Sequence, residues 1–327
     1  MQAFLSSPRR IVPGLLVLLG AWSATACGPS NDAPSEARAD AGKTAAAAPP
    51  ASARADSTKW AAVDEALGRQ GESLPGGVHK FTMPRTDLPV VSGGLRIKPA
   101  LALGSWLAFM PKGAGAVAMG DLVLTEREYT GVIARLQQGG VGQTAVHKHL
   151  PEHSPAVWWT HIHAEGDPVE IARTVKAALA LTGTPPEEGS GAATRELALD
   201  TAAIRRTLGH GGKVNGGVYQ VSIPRAEIIR AGGIELPASM GTATALNFQP
   251  TGRGKAAING DFVMTAAEVQ PVIAALKANA IQVVALHNHM LDEEPRLFFM
   301  HFWANDDPVM LARGLRAALD QTNSTLP

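Results

Sequence analysis

A chain of 327 residues with 45% apolar content is long enough for two ordinary domains, or for one domain built of two fused halves, and it can bury a substantial core. Lysine plus arginine equals aspartate plus glutamate at 29 each, so no global field favours nucleic acid or an acidic membrane surface. The single cysteine, Cys27, excludes an intrachain disulfide framework and any cysteine-rich zinc site.

The chain begins with Arg9-Arg10, an apolar run from Ile11 to Trp22 and the small residues Ala24-Thr25-Ala26 before Cys27. This reads as an export signal over 1–27, its apolar run too short for a comfortable permanent membrane span. Small residues directly before a cysteine resemble the bacterial lipoprotein processing site, which implies a lipid on Cys27 as the membrane anchor and an envelope or periplasmic location. Ala24 stands where that site usually has leucine, and ordinary cleavage after Ala26 is the alternative. Residues 28–56 are Ala, Pro, Ser, Gly and Asp with almost no large apolar side chain, a composition that reads as a flexible tether.

The folded body is expected from Ser57, an N-cap for a helix with Trp60, Val63 and Leu67 at helical spacing. A second such helix, with Ile204 and Leu208, opens a second unit. From there the two units align without a gap. Pro84-Arg85 answers Pro224-Arg225, Gly120-Asp121 answers Gly260-Asp261, and Thr125 and Glu128 answer Thr265 and Glu268. His147 and His149 answer His287 and His289, His161 answers His301, and Asp167-Pro168 answers Asp307-Pro308. One constant offset over so long a stretch indicates internal duplication: a first repeat over 57–182, a Gly/Pro/Glu-rich linker over 183–195 and a second repeat over 196–322.

Each unit reads as helix, three strands, helix, two strands, helix. Strands are expected near 77–84, 104–110 and 116–124, and near 217–224, 242–248 and 256–264. The middle helix starts with a capping box, Thr125-x-x-Glu128 or Thr265-x-x-Glu268. Its apolar stripe is Val132, Ile133 and Leu136, or Val269, Ile273 and Leu276. The last helix starts with an Asp N-cap followed by proline, and Val175 with Leu179, or Leu315 with Leu319, line it. The expected fold class is α+β: two tandem homologous halves related by a pseudo-twofold axis, with helices on one face of a largely antiparallel sheet.

The chemistry concentrates in two hairpins, about 143–150 with 156–164 and 283–290 with 296–304. All histidines except His79 and His210 lie in them. Side chains alternate along a strand, so His147 and His149 share a face, as do His161 and His163; pairing 147 with 161 gathers the four rings. Neutral imidazoles on adjacent strands converge at the short bond lengths a first-row metal needs. The expected metal ligands are therefore His147, His149, His161 and His163 in one copy, and His287, His289, His301 and Glu293 in the other, with Glu293 the first candidate for a catalytic base. Imidazole-rich sites suit zinc or copper before manganese or iron. The competing reading makes these histidines packing groups or the wall of a small-molecule site. Gly120-Asp121 and Gly260-Asp261 read first as tight bends inside strands, with a role for Asp121 or Asp261 in the site as the lesser alternative; Arg85 and Arg225 read as partners in edge salt bridges ahead of clamps for an anionic ligand. No phosphate-cradling glycine loop, nucleophile elbow or basic-aromatic patch for nucleic acid occurs, and the oligomeric state is left open.

The residues His287-Asn288-His289-Met290-Leu291, Glu294-Pro295-Arg296 and Phe299-Met300-His301-Phe302-Trp303, with Gly260-Asp261-Phe262-Val263 upstream, resemble the bacterial LppY/LpqO lipoprotein family. His147-Lys148-His149-Leu150 and the run from Trp158 to Asp167 resemble it too, so the likeness covers about residues 57–322. It implies an exported, often lipid-anchored protein and supplies no catalytic residues. The functional expectation is an envelope protein with a histidine-rich divalent metal site, either a metal-dependent hydrolase or lyase, or a non-catalytic protein that binds a small ligand or carries copper or zinc.

Overall fold

The computed structural model describes residues 60–186 and 197–325. The export signal, Cys27, the 28–56 tether, the Ser57 N-cap and linker residues 187–195 lie outside them.

The first half runs α1 (60–67), β1 (Glu72–Leu74), β2 (Val78–Pro84), β3 (Val91–Ser92), β4 (Leu95–Arg96), α2 (Pro99–Ala102), β5 (Gly104–Lys112), β6 (Gly115–Thr125), α3 (Glu126–Gln138), β7 (Gly142–His147), β8 (His153–Ser154), β9 (Val157–Gly166) and α4 (Pro168–Leu179). The second half repeats this with α5 (Thr201–Leu208), β10 (Lys213–Asn215), β11 (Val218–Pro224), β12 (Arg230–Ala231), β13 (Ile234–Glu235), a 3-10 turn at Ala238–Met240, β14 (Ala243–Gly252), β15 (Lys255–Thr265), α6 (Ala266–Ala278), β16 (Gln282–His287), β17 (Leu297–Asp306) and α7 (Pro308–Leu319). The expected elements are all present. The short strands β1, β3, β4 and β8, and β10, β12 and β13 in the second half, are additions that the hydrophobic pattern was too brief to reveal.

Each half forms one six-stranded antiparallel sheet, ordered β1-β2-β5-β6-β9-β7 and β10-β11-β14-β15-β17-β16. Strand alternation then decides the layering. In β6, Ala118, Leu122 and Leu124 join Trp60, Val63, Val132, Leu136, Ile171 and Val175 in the core under the first half's helices. In β15, Ile258, Phe262 and Met264 do the same under Leu208, Val272, Leu276, Leu311 and Leu315. Val272 rather than Ile273 completes the α6 stripe, and Ile273 is only partly buried.

The opposite faces of the two sheets pack on each other. One apolar cluster joins Leu103, Val123, Leu150 and Trp159 to Val218, Ala257 and Trp303. A second joins Val78, Met110 and Met119 to Met240, Val263, Met290 and Phe299. Helices therefore cover the outer face of each sheet, while the inner faces form a shared core. The fold is mixed α/β in two homologous halves.

Both capping boxes form, and each has a second duty. Arg85, fully buried, spans Asp87 and the cap residue Glu128 at 2.8–2.9 Å and donates to the Val123 carbonyl at 2.7 Å. Arg225 repeats this with Glu227, Glu268 and Val263. These are interior charge clusters, not the edge pairs the sequence suggested; the fork of a guanidinium lets one buried cation satisfy two carboxylates. The arginine partners hold Glu128 and Glu268 below the usual carboxylate range, against a burial effect that would raise them.

Candidate metal centre

The middle of the inter-sheet layer, between the two apolar clusters, is polar. On β6 and β9, Asp121 stands directly opposite His161; on β15 and β17, Asp261 stands opposite His301. All four point to the inner face, because they occupy the same alternation phase as Val123 and Val263. His147 and His287 close the edge strands β7 and β16, and His149 and His289 follow two residues on. Asp121, His147, His161, Asp261, His289 and His301 are each at most 9% exposed. The His149 and His287 side chains are 13% and 4% exposed.

The six imidazoles form one cluster that mixes the halves. His147 stacks on His287 at 3.8 Å between centroids, His149 lies against His301 at 3.8 Å, and His161 against His289 at 3.8 Å. The His147 Nε2 lies 3.0 Å from the His149 Nε2 and 3.1 Å from the His301 Nε2. The Asp121 carboxylate is 3.2 Å from the His149 Nε2, and the Asp261 carboxylate is 3.0 Å from the His289 Nε2. Ligand atoms of His147, His287 and His301, of His161, His287 and His289, and of Asp121, His147 and His161 each lie within 4.8 Å of one another.

Tautomers follow from the backbone. His301 donates from Nδ1 to the Gly260 carbonyl at 2.7 Å, and His289 donates from Nδ1 to the Gly241 carbonyl at 2.9 Å. His161 and His149 bond to the backbone of Gly120 and Ala102. In a neutral imidazole, a proton on Nδ1 leaves Nε2 as a bare acceptor. Among the described residues the Nε2 atoms of His161, His287 and His289, the Nδ1 of His287 and one oxygen each of Asp121 and Asp261 have no hydrogen-bond partner.

Burial keeps the rings neutral. It pushes His161 down to about 3 and His289 to about 4, lowers His301, and drives His147, His149 and His287 well below the ordinary imidazole value. Neighbouring histidines add to the effect at the last three. Burial also raises Asp261 to about 6. Each unsatisfied buried polar group costs on the order of 1–3 kcal/mol, so a cluster of this size is a poor way to fill a core.

The structure redistributes the expected ligands. His147, His149, His161, His287, His289 and His301 come together. His163 does not: it lies further along β9, partly exposed, 3.9 Å from Glu165, where the second half has Trp303. Glu293 is also placed elsewhere, since its carboxylate accepts from the Leu297 amide at 2.8 Å and from Arg296 at 3.3 Å. It closes its own turn. His153 likewise bonds within its loop, to Pro151 and Val157.

The hairpin register differs by two residues from expectation, with His147 opposite Trp159 and Ala145 opposite His161. The even parity is kept, so the faces are as expected. Strand pairing ends at His147, and Leu150 just beyond it is buried in the inter-sheet core.

Asp121 and Asp261, the lesser alternative in the sequence, are the carboxylates that stand at the cluster. Gly120-Asp121 and Gly260-Asp261 are mid-strand rather than bends, within continuous ladders to both neighbours. The glycines permit close strand approach: a Cβ at Gly120 would lie 2.6 Å from the Trp106 carbonyl oxygen, and one at Gly260 would lie 1.9 Å from that of Ala245. A charged residue inside an otherwise apolar strand, present in both repeats, was the available signal.

Comparison with known proteins adds a family and no activity. No curated protein matches the chain. Among solved structures, a trimeric bacterial microcompartment shell protein, PduB, aligns at 12% identity over 77% of this chain and 93% of its own, with a TM-score of 0.19. EtuB from Clostridium kluyveri aligns at 10% identity over 76% of this chain and 90% of its own, with a TM-score of 0.18. The family described as Domain of Unknown Function (DUF1259) matches twice, over residues 61–181 and 202–321, one match per half, and the chain belongs to that family.

Proposed function

We propose that this is an exported envelope protein, lipid-anchored through Cys27, whose halves are related by a pseudo-twofold axis and enclose a divalent metal centre. The supporting observation is that His161 and His289 bond the backbone through one ring nitrogen and leave a buried Nε2 with no hydrogen-bond partner among the described residues, while neither ring nitrogen of the buried His287 has one. Histidine ligands are commonly oriented in this way, with the remote N–H fixed by a carbonyl or carboxylate. Imidazole-dominated donors with a minority of carboxylate suit zinc or copper, and suit manganese or iron less well. The leader and its small residues before Cys27 support export and the anchor, as does the resemblance to LppY/LpqO lipoproteins.

Burial favours holding a metal over processing a substrate. A catalytic site keeps an open coordination position, whereas a closed shell suits storage, delivery or structural support. The non-catalytic reading is therefore the better supported. A hydrolase or lyase is the second reading, because the Asp261 carboxylate stands 3.0 Å from the His289 Nε2 with one oxygen left unpaired among the described residues, a group that could serve acid–base chemistry beside a metal.

The deciding experiment is metal analysis by mass spectrometry on the full chain made without a histidine tag, beside a His161→Ala/His289→Ala variant. Metal retained by the native chain and reduced in the variant is the expected result. Failure to take up zinc or copper on dialysis would overturn the metal reading, leaving the cluster as a packing or ligand surface. Fatty-acid label on the native chain and its absence from Cys27→Ser tests the anchor separately.

A further inference from the structure

Resting on the metal reading, we propose that the centre takes two divalent cations, each held by the His-x-His pair of one half, the strand histidine of the other half and one aspartate. His147, His149 and His301 with Asp121 make one set. His287, His289 and His161 with Asp261 make the other.

Donor number is the first argument. A first-row ion in a nitrogen/oxygen site is commonly satisfied by four ligands, and six imidazoles with two carboxylates supply that shell twice. A single ion would leave about half of these buried donors unpaired, restoring the desolvation cost that metal binding is meant to relieve.

Spacing is the second. Bonds of about 2.0–2.1 Å in a tetrahedron place neighbouring ligand atoms roughly 3.3 Å apart. In the first set His147 Nε2 is 3.0 and 3.1 Å from its two histidine partners, and Asp121 is 3.2 Å from His149. In the second, Asp261 is 3.0 Å from His289 and 3.8 Å from His287, while the three histidine ligand atoms lie within 4.8 Å of one another.

The lone pairs supply the third. His149 and His301 each engage a backbone group, so each turns a bare Nε2 toward the His147 Nε2. One proton on His147 Nε2 can serve only one of them. A cation at that point satisfies all three at once. The Nε2 atoms of His161, His287 and His289 have no hydrogen-bond partner among the described residues.

The two sets meet where His147 stacks on His287, so the ions are neighbours. One carboxylate per ion offsets part of the buried positive charge, as the cores of two-metal sites require.

The test uses the full chain without a histidine tag, stripped with chelator, dialysed against zinc and freed of excess. Two equivalents per chain are expected in the native protein. About one is expected in His149→Ala and in His289→Ala, with far-ultraviolet circular dichroism confirming that each variant is folded. One equivalent in the native chain would overturn the two-ion inference while leaving the metal reading intact; none would overturn both. Copper(II) loading gives a readout independent of the variants. Paramagnetic intensity well below the copper content, with a half-field line, is the expected signature of two coupled ions. A spectrum accounting for all the copper as isolated ions would overturn the pairing.

Discussion

His161 of the first half and His289 of the second lie ring against ring, with centroids 3.8 Å apart, and His149 and His301 repeat the contact with the halves exchanged. Each hairpin thus donates its His-x-His pair to a set that the other half completes. On the two-ion reading, neither half assembles a full donor set from its own histidines. Alanine at His161 and alanine at His289 should each weaken metal binding by about 100-fold or more, and the double variant should be little worse than either, because both remove ligands of one set. A competition titration against a chelator gives the three affinities. Additive losses would mean that the two residues do not share an ion.

Protonation should make the metal-free protein acid-labile. An imidazole with a depressed folded value stabilises fully above its unfolded value, near 6.5, and loses that contribution as pH falls through the folded value, about 4 for His289 and about 3 for His161. Asp261 has the opposite sign: its raised value of about 6 favours folding at low pH and is lost on going above 6. Six histidines outweigh one carboxylate, so the melting temperature in the presence of chelator should drop steadily from pH 7 to pH 4. A flat profile across that interval would contradict the buried neutral cluster.

Asp261 should carry a trade-off between binding and stability. Above pH 6 its ionised carboxylate is buried with one oxygen unpaired. Asp261→Asn should therefore stabilise the metal-free chain at pH 8 by on the order of 1–3 kcal/mol, judged from a shift of about two units at roughly 1.4 kcal/mol each. The same change should weaken metal binding and shrink the melting shift on adding zinc. Urea unfolding with and without metal separates the two effects, and a loss of stability in both states would refute the assignment.

Much of this architecture could be read from the residues because it rests on local rules. The capping boxes at Thr125 and Thr265 and the Asp-Pro starts at Asp167 and Asp307 place helices whatever the tertiary context, and all four form as written. Strand alternation likewise put the hairpin histidines on one face despite a register that was two residues out. The aspartates ranked behind Glu293 in the sequence for a non-local reason. Glu293 is near His289 in sequence, but Asp261 reaches the site through the pairing of β15 with β17, which no short window encodes. Facing the sheets against each other is also non-local, since it depends on which apolar face each half leaves uncovered by helices.

The arginine clusters should matter to stability and not to metal content. Arg85 is buried against two carboxylates and a backbone carbonyl, and its loss would strand Asp87 and Glu128. Arg85→Met should cost about 3–5 kcal/mol, the usual result of removing one partner from a buried ionic group. Glu128→Gln in that background should recover part of it. Metal equivalents per folded chain should stay at the native value, which distinguishes this scaffold role from contact with the centre.

His163 and Glu293 provide the sharpest check on the placement of the centre, because composition and spacing nominate them as strongly as the six clustered histidines. His163 occupies the same face of β9 as His161, but one step further out it meets Glu165 and solvent, and burial has lowered its affinity for protons less completely. Glu293 spends its carboxylate on the Leu297 amide and Arg296. Replacing His163 by alanine should therefore leave metal content and affinity within about twofold of native. Glu293→Gln should do the same, while costing about 1–2 kcal/mol of stability through weakened hydrogen bonds in its turn. His161→Ala, only two residues from His163, should abolish one set. A comparable loss of metal in His163→Ala or Glu293→Gln would show that ligands come from each hairpin separately, and that the inter-sheet cluster is not where the ion sits.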